Sequence, residues 1–277
     1  MKKHLTTIIL IGALLIGAGL LAYPTFSNWW NSYHQSRAVV SYASAVAQIN
    51  DDEYREIIAS AVAYNEELAE TGTRWVMSEE EAAAYDKTLA ITVSGIMAYV
   101  EIPKIDVQLP IYHGTDEAVL QVAIGHLAGT SLPVGGASTH CVISGHRGLP
   151  SARLFTDLDR LTTGDRFLVR TLDEVLTYEI DQILIVEPTD LSALEIEKGK
   201  DYCTLVTCTP YGINTHRLLV RGHRVKTEDD ITIRITSDAM QVDEVLVALF
   251  LAVPVLVLLA IIVMARPRRK RRDDYTV

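Results

Sequence analysis

The sequence predicts a mainly β domain, a barrel or sandwich, preceded by helices and set between two apolar segments. Three observations carry this. Beyond Ile96, short apolar runs alternate with polar residues and are separated by Gly, Pro, Asp and Asn, as in half-buried strands joined by tight turns. Residues from about Arg37 to Glu70 are instead rich in Ala, Glu, Val and Ile at helical spacing. At the two ends lie uncharged runs, Leu5 to Ala22 and Val245 to Ala265, each of about 20 residues and long enough to cross a bilayer.

Lys2 and Lys3 precede the first apolar run, and Arg266, Arg268, Arg269, Lys270, Arg271 and Arg272 follow the second. Basic flanks tend to remain cytoplasmic, so both termini are expected inside and residues from about 24 to 244 outside the cell membrane. Residues 1–23 are therefore read as a first transmembrane segment, 245–265 as a second, and 266–277 as a basic cytoplasmic tail facing anionic membrane lipid. A cleaved secretory signal is the alternative for the first run. The sequence that follows it, Tyr23-Pro24-Thr25-Phe26, has no clear small-x-small site, and the central region is exported on either reading.

Residues 24–70 form an extracellular helical region. Asn50-Asp51-Asp52 supplies good N-cap residues and divides it into two helices, the second placing Tyr54, Ile57, Ile58, Ala61 and Leu68 at helical spacing; Thr71-Gly72-Thr73 ends it. Residues 71–95, with Trp75 and the acidic run Glu79-Glu80-Glu81, give mixed signals. The β domain covers 96–225, with strands expected at Ala98–Ile102, Val107–Tyr112, His140–Ser144, Arg166–Thr171, Leu176–Glu187, Tyr202–Cys208 and Arg217–Val225. A short helix or turn is expected at Leu154–Leu161, and residues 226–244 read as a polar connector to the second span.

The net charge of −10 conceals a division along the chain. Setting aside the eight basic residues and two aspartates of the tails leaves 17 basic against 33 acidic residues, a net of −16 in the exported part. Nucleic-acid binding is thereby excluded as a function class, since phosphate contacts need a basic face. Cys141, Cys203 and Cys208 are an odd set, so a disulfide framework is not what holds the domain together. Cys203 and Cys208, five apart on a strand, face opposite sides about 16 Å apart, too far for a bridge. No Cys/His spacing resembles a zinc site, and no cofactor is expected.

Cys208 ends an apolar run and enters Thr209-Pro210-Tyr211-Gly212-Ile213-Asn214-Thr215, a loop composition that leaves its sulfur reachable. Cys141 and Cys203 lie inside apolar strands and read as buried small hydrophobes. Arg217 begins the next strand nine residues after Cys208. A thiol and a guanidinium across one loop suit acyl transfer, in which a thiolate attacks a carbonyl and a fixed cation stabilises the oxygen. A surface arginine bridging an acid is the bland alternative.

The chemistry also needs a proton donor, for which eight histidines compete. His216 must face away from its neighbour Arg217, and His223 lies about 20 Å further along the strand. His4 and His34 flank the first span, while His113 and His126 suit loop-orienting hydrogen bonds. His140 opens the strand that ends near His146. Only His146, in Ser144-Gly145-His146-Arg147-Gly148, has a Gly-flanked strand-end setting that lets an imidazole protrude from a rim, which makes it the favoured candidate.

At these residues the chain resembles the sortases, and specifically the pilin-polymerising class C sortases of Gram-positive bacteria. The resemblance runs through Ile102-Pro103-Lys104-Ile105, Leu109-Pro110-Ile111-Tyr112-His113-Gly114-Thr115, Gly125 to Gly136, the His146 segment, Leu154-Phe155-Thr156-Asp157-Leu158 and the block from Thr204 to Gly222. It implies an eight-stranded sortase β-barrel and a catalytic set of Cys208, His146 and Arg217. It also implies cleavage of an LPXTG-like sorting signal between Thr and Gly through a thioacyl enzyme, with a lysine amine of the next pilin subunit as acceptor. The partners so implied are pilin subunits or other surface proteins carrying such signals. A housekeeping sortase, which anchors proteins to a cell-wall precursor, shares the chemistry; hydrolysis with water needs no acceptor, and an inactive membrane scaffold or adhesion module would keep the barrel alone. Class C enzymes commonly carry a lid with an Asp-Pro-aromatic motif before the barrel. Here the corresponding stretch, Thr71 to Ser78, has no Asp-Pro, and Trp75 is the possible lid residue in a segment expected to be loosely docked.

Overall fold

A computed structural model describes residues 2–92 and 95–227. The chain divides into compact units between Ala22 and Tyr23, and the unit beginning at Tyr23 holds the β domain. The second apolar run at 245–265, the tail at 266–277 and all but the first two residues of the connector at 226–244 lie outside the described residues.

Helix α1 (Lys2–Val46) contains the first apolar run, and within it Leu10–Val46 includes a window long and apolar enough to cross a membrane, none of it buried. The sequence placed a boundary at Tyr23-Pro24, but the helix runs through Pro24 to Val46. A proline removes one backbone donor and crowds the preceding turn; tertiary contacts hold the helix beyond it. Tyr42 is fully buried, donates to the Met97 carbonyl (3.0 Å) and accepts from the Leu172 amide (2.8 Å). With Val39 it packs against Ile96 and Tyr99.

Helix α2 (Asp51–Thr71) starts where the cap residues place it: the Asn50 side chain accepts from the Asp52 and Glu53 amides, and three acidic residues in the first turn complement the helix dipole. Gly72, at φ 85°, ends it. Ala61, Tyr64, Asn65 and Leu68 form its buried face. Asn65 exchanges two hydrogen bonds with the Leu132 backbone, at 2.7 and 3.1 Å, which fixes the helix on the barrel. Helix α3 (Glu79–Tyr85), in the stretch the sequence left unresolved, opens with a Ser78/Glu81 capping box.

Eight strands close a barrel: β1 (Ile96–Ile102), β2 (Val107–His113), β3 (Ile124–His126), β4 (Thr139–Gly145), β5 (Arg166–Thr171), β6 (Glu174–Val186), β7 (Asp201–Thr209) and β8 (His216–Val225). Their order around it is β1-β2-β3-β4-β7-β8-β6-β5, and β5 pairs back to β1. The expected strands correspond to seven of these within a residue or two. The eighth, β3, was missed because three residues that include Gly125 and His126 carry no alternation to read. A single turn of 3-10 helix at Leu158–Arg160 and a one-turn helix α4 (Glu117–Leu120) lie in the connections. Gly125 lets β3 lie beside the turn after β2, since a Cβ there would sit 1.9 Å from the Gly114 carbonyl oxygen.

Strand alternation sorts the side chains. Cys141 and Ile143 on β4, Cys203 and Leu205 on β7, and Leu218 and Val220 on β8 point into the barrel core. Phe167 and Tyr178 stack within it at 5.5 Å. Val142, Val206 and Leu219 face outward and form a separate apolar floor on the barrel's outside. As expected, Cys141 and Cys203 are buried; they lie opposite each other on neighbouring strands as free thiols, and burial pushes the Cys203 thiol well up.

Candidate active site

Register alone brings the three singled-out residues together. β4 and β7 run parallel, with Thr139 opposite Asp201 and Ser144 opposite Val206. Continued for two residues, that register sets His146 beside Cys208. The step is supported by the Thr207 hydroxyl, which donates to the Gly145 carbonyl at 2.8 Å. On the other flank β7 and β8 run antiparallel and Cys208 lies directly opposite Arg217. His146, Cys208 and Arg217 thus occupy three consecutive columns, each about 4.8 Å from the next. By alternation all three share the outward face of Val142, Val206 and Leu219, so the apolar floor runs up to the thiol.

The thiol is half-buried. The His146 imidazole is largely enclosed, and its Nε2 is a buried atom without a hydrogen-bond partner, with the Glu117 carboxylate 4.0 Å away. The other histidines near the strands are engaged: His113 with the Gly95 and Thr88 carbonyls, His126 with the Tyr85 hydroxyl and the Ser131 carbonyl, His140 with the Thr204 hydroxyl and the Glu195 carbonyl. Burial holds the His140 pKa below the usual imidazole range despite its carbonyl partner, so this ring is a neutral structural element. His223, whose Nδ1 is also unpartnered, lies opposite Tyr202 at the other end of the barrel.

Arg217 is aimed by its own loop, donating through Nη1 to the carbonyls of His216 (3.2 Å) and Asn214 (3.4 Å). The outward guanidinium and the inward parity expected for its neighbour agree with the register. Arg147 links the two loops that carry His146 and Cys208. It pairs with Asp159, reaches the Thr209 hydroxyl at 3.5 Å and lies over the Tyr211 ring at 5.8 Å. Sequence reasoning missed both Arg147 and Glu117: the partners of Arg147 lie on other loops, and only the folded chain brings α4 beside the end of β4.

Trp75 packs against the outer apolar floor with Leu127, Leu184 and Leu191, and its Nε1 donates to Glu195 at 2.8 Å. The sequence expects the segment around it to be loosely docked; in the structure the residue before Trp75 makes backbone and ionic contacts. The Arg74 amide donates to the Gly129 carbonyl at 2.9 Å, and the Arg74 guanidinium pairs with Glu67 and Glu81. Gly129 permits this approach: its φ is +84°, and a Cβ would meet the Arg74 carbonyl oxygen at 2.0 Å. Gly129→Ala is expected to weaken docking by about 2 kcal/mol. Amide exchange over 73–77 then rises roughly 30-fold while the β4 and β7 amides keep their protection. Unchanged exchange in 73–77 would show that this contact is not what holds the segment.

A cavity of about 780 Å³ between α2 and the barrel, lined by Tyr54, Ile58, Asp201 and Arg224 among others, lies at the end of β7 opposite Cys208. Among the described residues no cluster of His, Cys, Asp and Glu is arranged to hold a metal ion.

Comparison with known proteins gives this geometry its family. The sortase-domain family model matches residues 100–225. Sortase D of Bacillus subtilis is 31% identical over 158 residues, covering 56% of this chain and 75% of that protein. The crystal structure of sortase C1 from Streptococcus agalactiae shares 55% identity over 69% of this chain and 100% of its own, with a TM-score of 0.68. For sortase C-1 from Streptococcus pneumoniae the figures are 45%, 69% and 100%, with a TM-score of 0.61. The chain belongs to the sortase family, and it is a sortase-type transpeptidase. Within the family its place is with the class C sortases.

Proposed function

We propose that this protein is a membrane-anchored cysteine transpeptidase that cleaves an LPXTG-like sorting signal between Thr and Gly and transfers the threonyl carbonyl to a lysine amine of a pilin subunit. Cys208 is the nucleophile, His146 the acid and base, and Arg217 the oxyanion partner. The observation that carries the reading is the placement of the three residues in adjacent columns on one outward face.

The Cys208 thiolate attacks the Thr carbonyl, and the charge that develops on its oxygen faces the Arg217 guanidinium. As the C–N bond breaks, imidazolium His146 protonates the departing glycine amine, leaving a thioester on Cys208 and a neutral ring. The lysine amine then gives a proton to His146 as it attacks the thioester, the C–S bond breaks, and an isopeptide bond remains. Trp75, over the floor that leads to Cys208, takes the aromatic part of a lid that lacks the Asp contact. The protein is read as spanning the cell membrane twice, with both termini cytoplasmic and the domain at 96–225 outside.

Incubation of the full chain with an LPXTG-type peptide and a pilin subunit, followed by mass spectrometry, tests the assignment by naming donor and acceptor. A Cys208 thioacyl species and then a lysine isopeptide are expected. Transfer to a cell-wall precursor amine instead of lysine would move the protein to the housekeeping role, and cleavage unaffected by any amine would make it a protease. Arg217→Ala should slow formation of the thioacyl species by roughly 100- to 1000-fold. Arg217→Lys should recover only part of that loss, because an ammonium lacks the planar fork of donors. A full-rate Arg217→Lys enzyme would leave the guanidinium no specific part.

A further inference from the structure

The polar and aromatic residues just after the first apolar run divide between two faces of α1. Tyr23, Phe26, Trp30 and Tyr33 recur at intervals of three, four and three, which is one stripe of a helix, and they are among the large apolar side chains left exposed. Trp30 is half exposed, and Phe26 lies against Trp29 and Trp30 with ring centroids 5.7 and 6.4 Å apart. At 100° per residue, Ser27, Asn28, Asn31 and Gln35 centre on a direction roughly 130° away. That second face is committed to the β domain. Ser27 (3.3 Å) and Asn31 (2.7 Å) donate to the Ser151 carbonyl, Asn28 accepts from the Arg153 amide (2.8 Å), and Gln35 donates to the Val122 carbonyl (2.7 Å).

Ser151 and Arg153 belong to the loop that leaves His146. The Phe155 amide, two residues beyond Arg153, donates to the His146 carbonyl at 3.1 Å. The loop is therefore bound at one place to the His146 backbone and at another to α1. Ser27 lies five residues beyond Ala22, where the apolar run ends. Whatever the path of those residues, they span at most about 18 Å. If the apolar run crosses the bilayer, the loop beside His146 is tethered within that distance of its surface.

We propose that the stripe Tyr23, Phe26, Trp30 and Tyr33 is seated in the phospholipid headgroup layer, and that the opposite face of the same turns holds the His146 loop, and so the mouth of the active site, at the bilayer surface. The proposal rests on the membrane-spanning reading of the first apolar run. Its own grounds are separate: aromatic rings with an apolar body and a polar edge favour the membrane–water interface. These begin at the first residue after the apolar run, and no part of the barrel covers the stripe. Ser27, Asn28 and Asn31 are positioning residues, acting through the loop rather than on substrate.

The chain contains three tryptophans, Trp29, Trp30 and Trp75, so its own fluorescence tests the seating. The full chain carrying W75F is placed in nanodiscs of phosphatidylcholine and phosphatidylglycerol whose acyl chains are brominated either near the headgroup or near the chain end. Bromines near the headgroup should remove most of the emission, and bromines at the chain end little of it. The W29F/W30F variant, which reports Trp75 alone, should keep its emission in both. Alkaline carbonate extraction of the same preparations separates the two ways of failing. A chain that leaves the lipid refutes the span itself. A chain that stays while Trp29 and Trp30 keep their emission refutes the seating, as would a second copy covering the stripe, seen as a dimer that W30A dissociates. The tether is read apart from catalysis: N28A/N31A should speed exchange of the Arg153 amide at least tenfold with quenching unchanged, and protection equal to the parent chain would overturn it.

Discussion

Cys208→Ala is expected to abolish transfer, lowering the rate at least about 10⁴-fold and removing the thioacyl species from the mass spectrum. The size of the loss follows from covalent catalysis. Without the sulfur there is no thioester, and attack by lysine on an unactivated amide must proceed in one step. The register makes the assignment specific to this cysteine, since Cys141 and Cys203 point into the barrel core and cannot substitute. Stability separates chemistry from folding: Cys208 is half-buried, so its truncation should cost less than about 1 kcal/mol and leave the melting curve nearly unchanged. Retention of full activity by a folded Cys208→Ala protein would end the enzyme reading built on this residue.

His146→Ala is expected to cost about 10³-fold, the range of general acid–base catalysis, and the loss should depend on the leaving group. The glycine amine departs poorly unless protonated, and the His146 imidazole, in the column beside Cys208, is the donor at hand. A substrate in which an ester replaces the scissile amide has a leaving alkoxide that needs less assistance. Acylation of His146→Ala by that ester should therefore approach the parent rate much more closely than acylation by the amide. Transfer to lysine should stay slow with both, because the amine must still lose a proton. An equal deficit for amide and ester would assign His146 a structural part. His140→Ala is a poor control for this, since His140 bonds Thr204 and the Glu195 backbone beneath the Trp75 contact.

What the sequence revealed of this site, and what it hid, has a physical division. Strand parity and loop composition are local, so the half-buried Cys208, the buried Cys141 and Cys203, and the opposed directions of His216 and Arg217 were all legible. The hairpin that sets Cys208 opposite Arg217 was legible for the same reason, being closed by one short loop. The neighbour relation of β4 and β7 was not, because those parallel strands are paired across an offset of 62 residues by way of β5 and β6. His146 was therefore favoured for its setting and not for its distance. Glu117 and Arg147 escaped because their significance is entirely tertiary. The continuity of α1 was not legible because the change from an uncharged to a mixed sequence after Tyr23 marks a change of surroundings and not a change of backbone conformation.

The opposite directions of the cysteines on β7 have a practical consequence. Cys203 and Cys141 are closed off inside the barrel, whereas Cys208 is reachable from solvent. Among three thiols, a polar alkylating reagent applied to the folded chain should consume one equivalent per molecule and stop. That stoichiometry serves as an active-site titrant: the fraction of a preparation that reacts counts its competent molecules, and any further uptake measures the fraction that has unfolded.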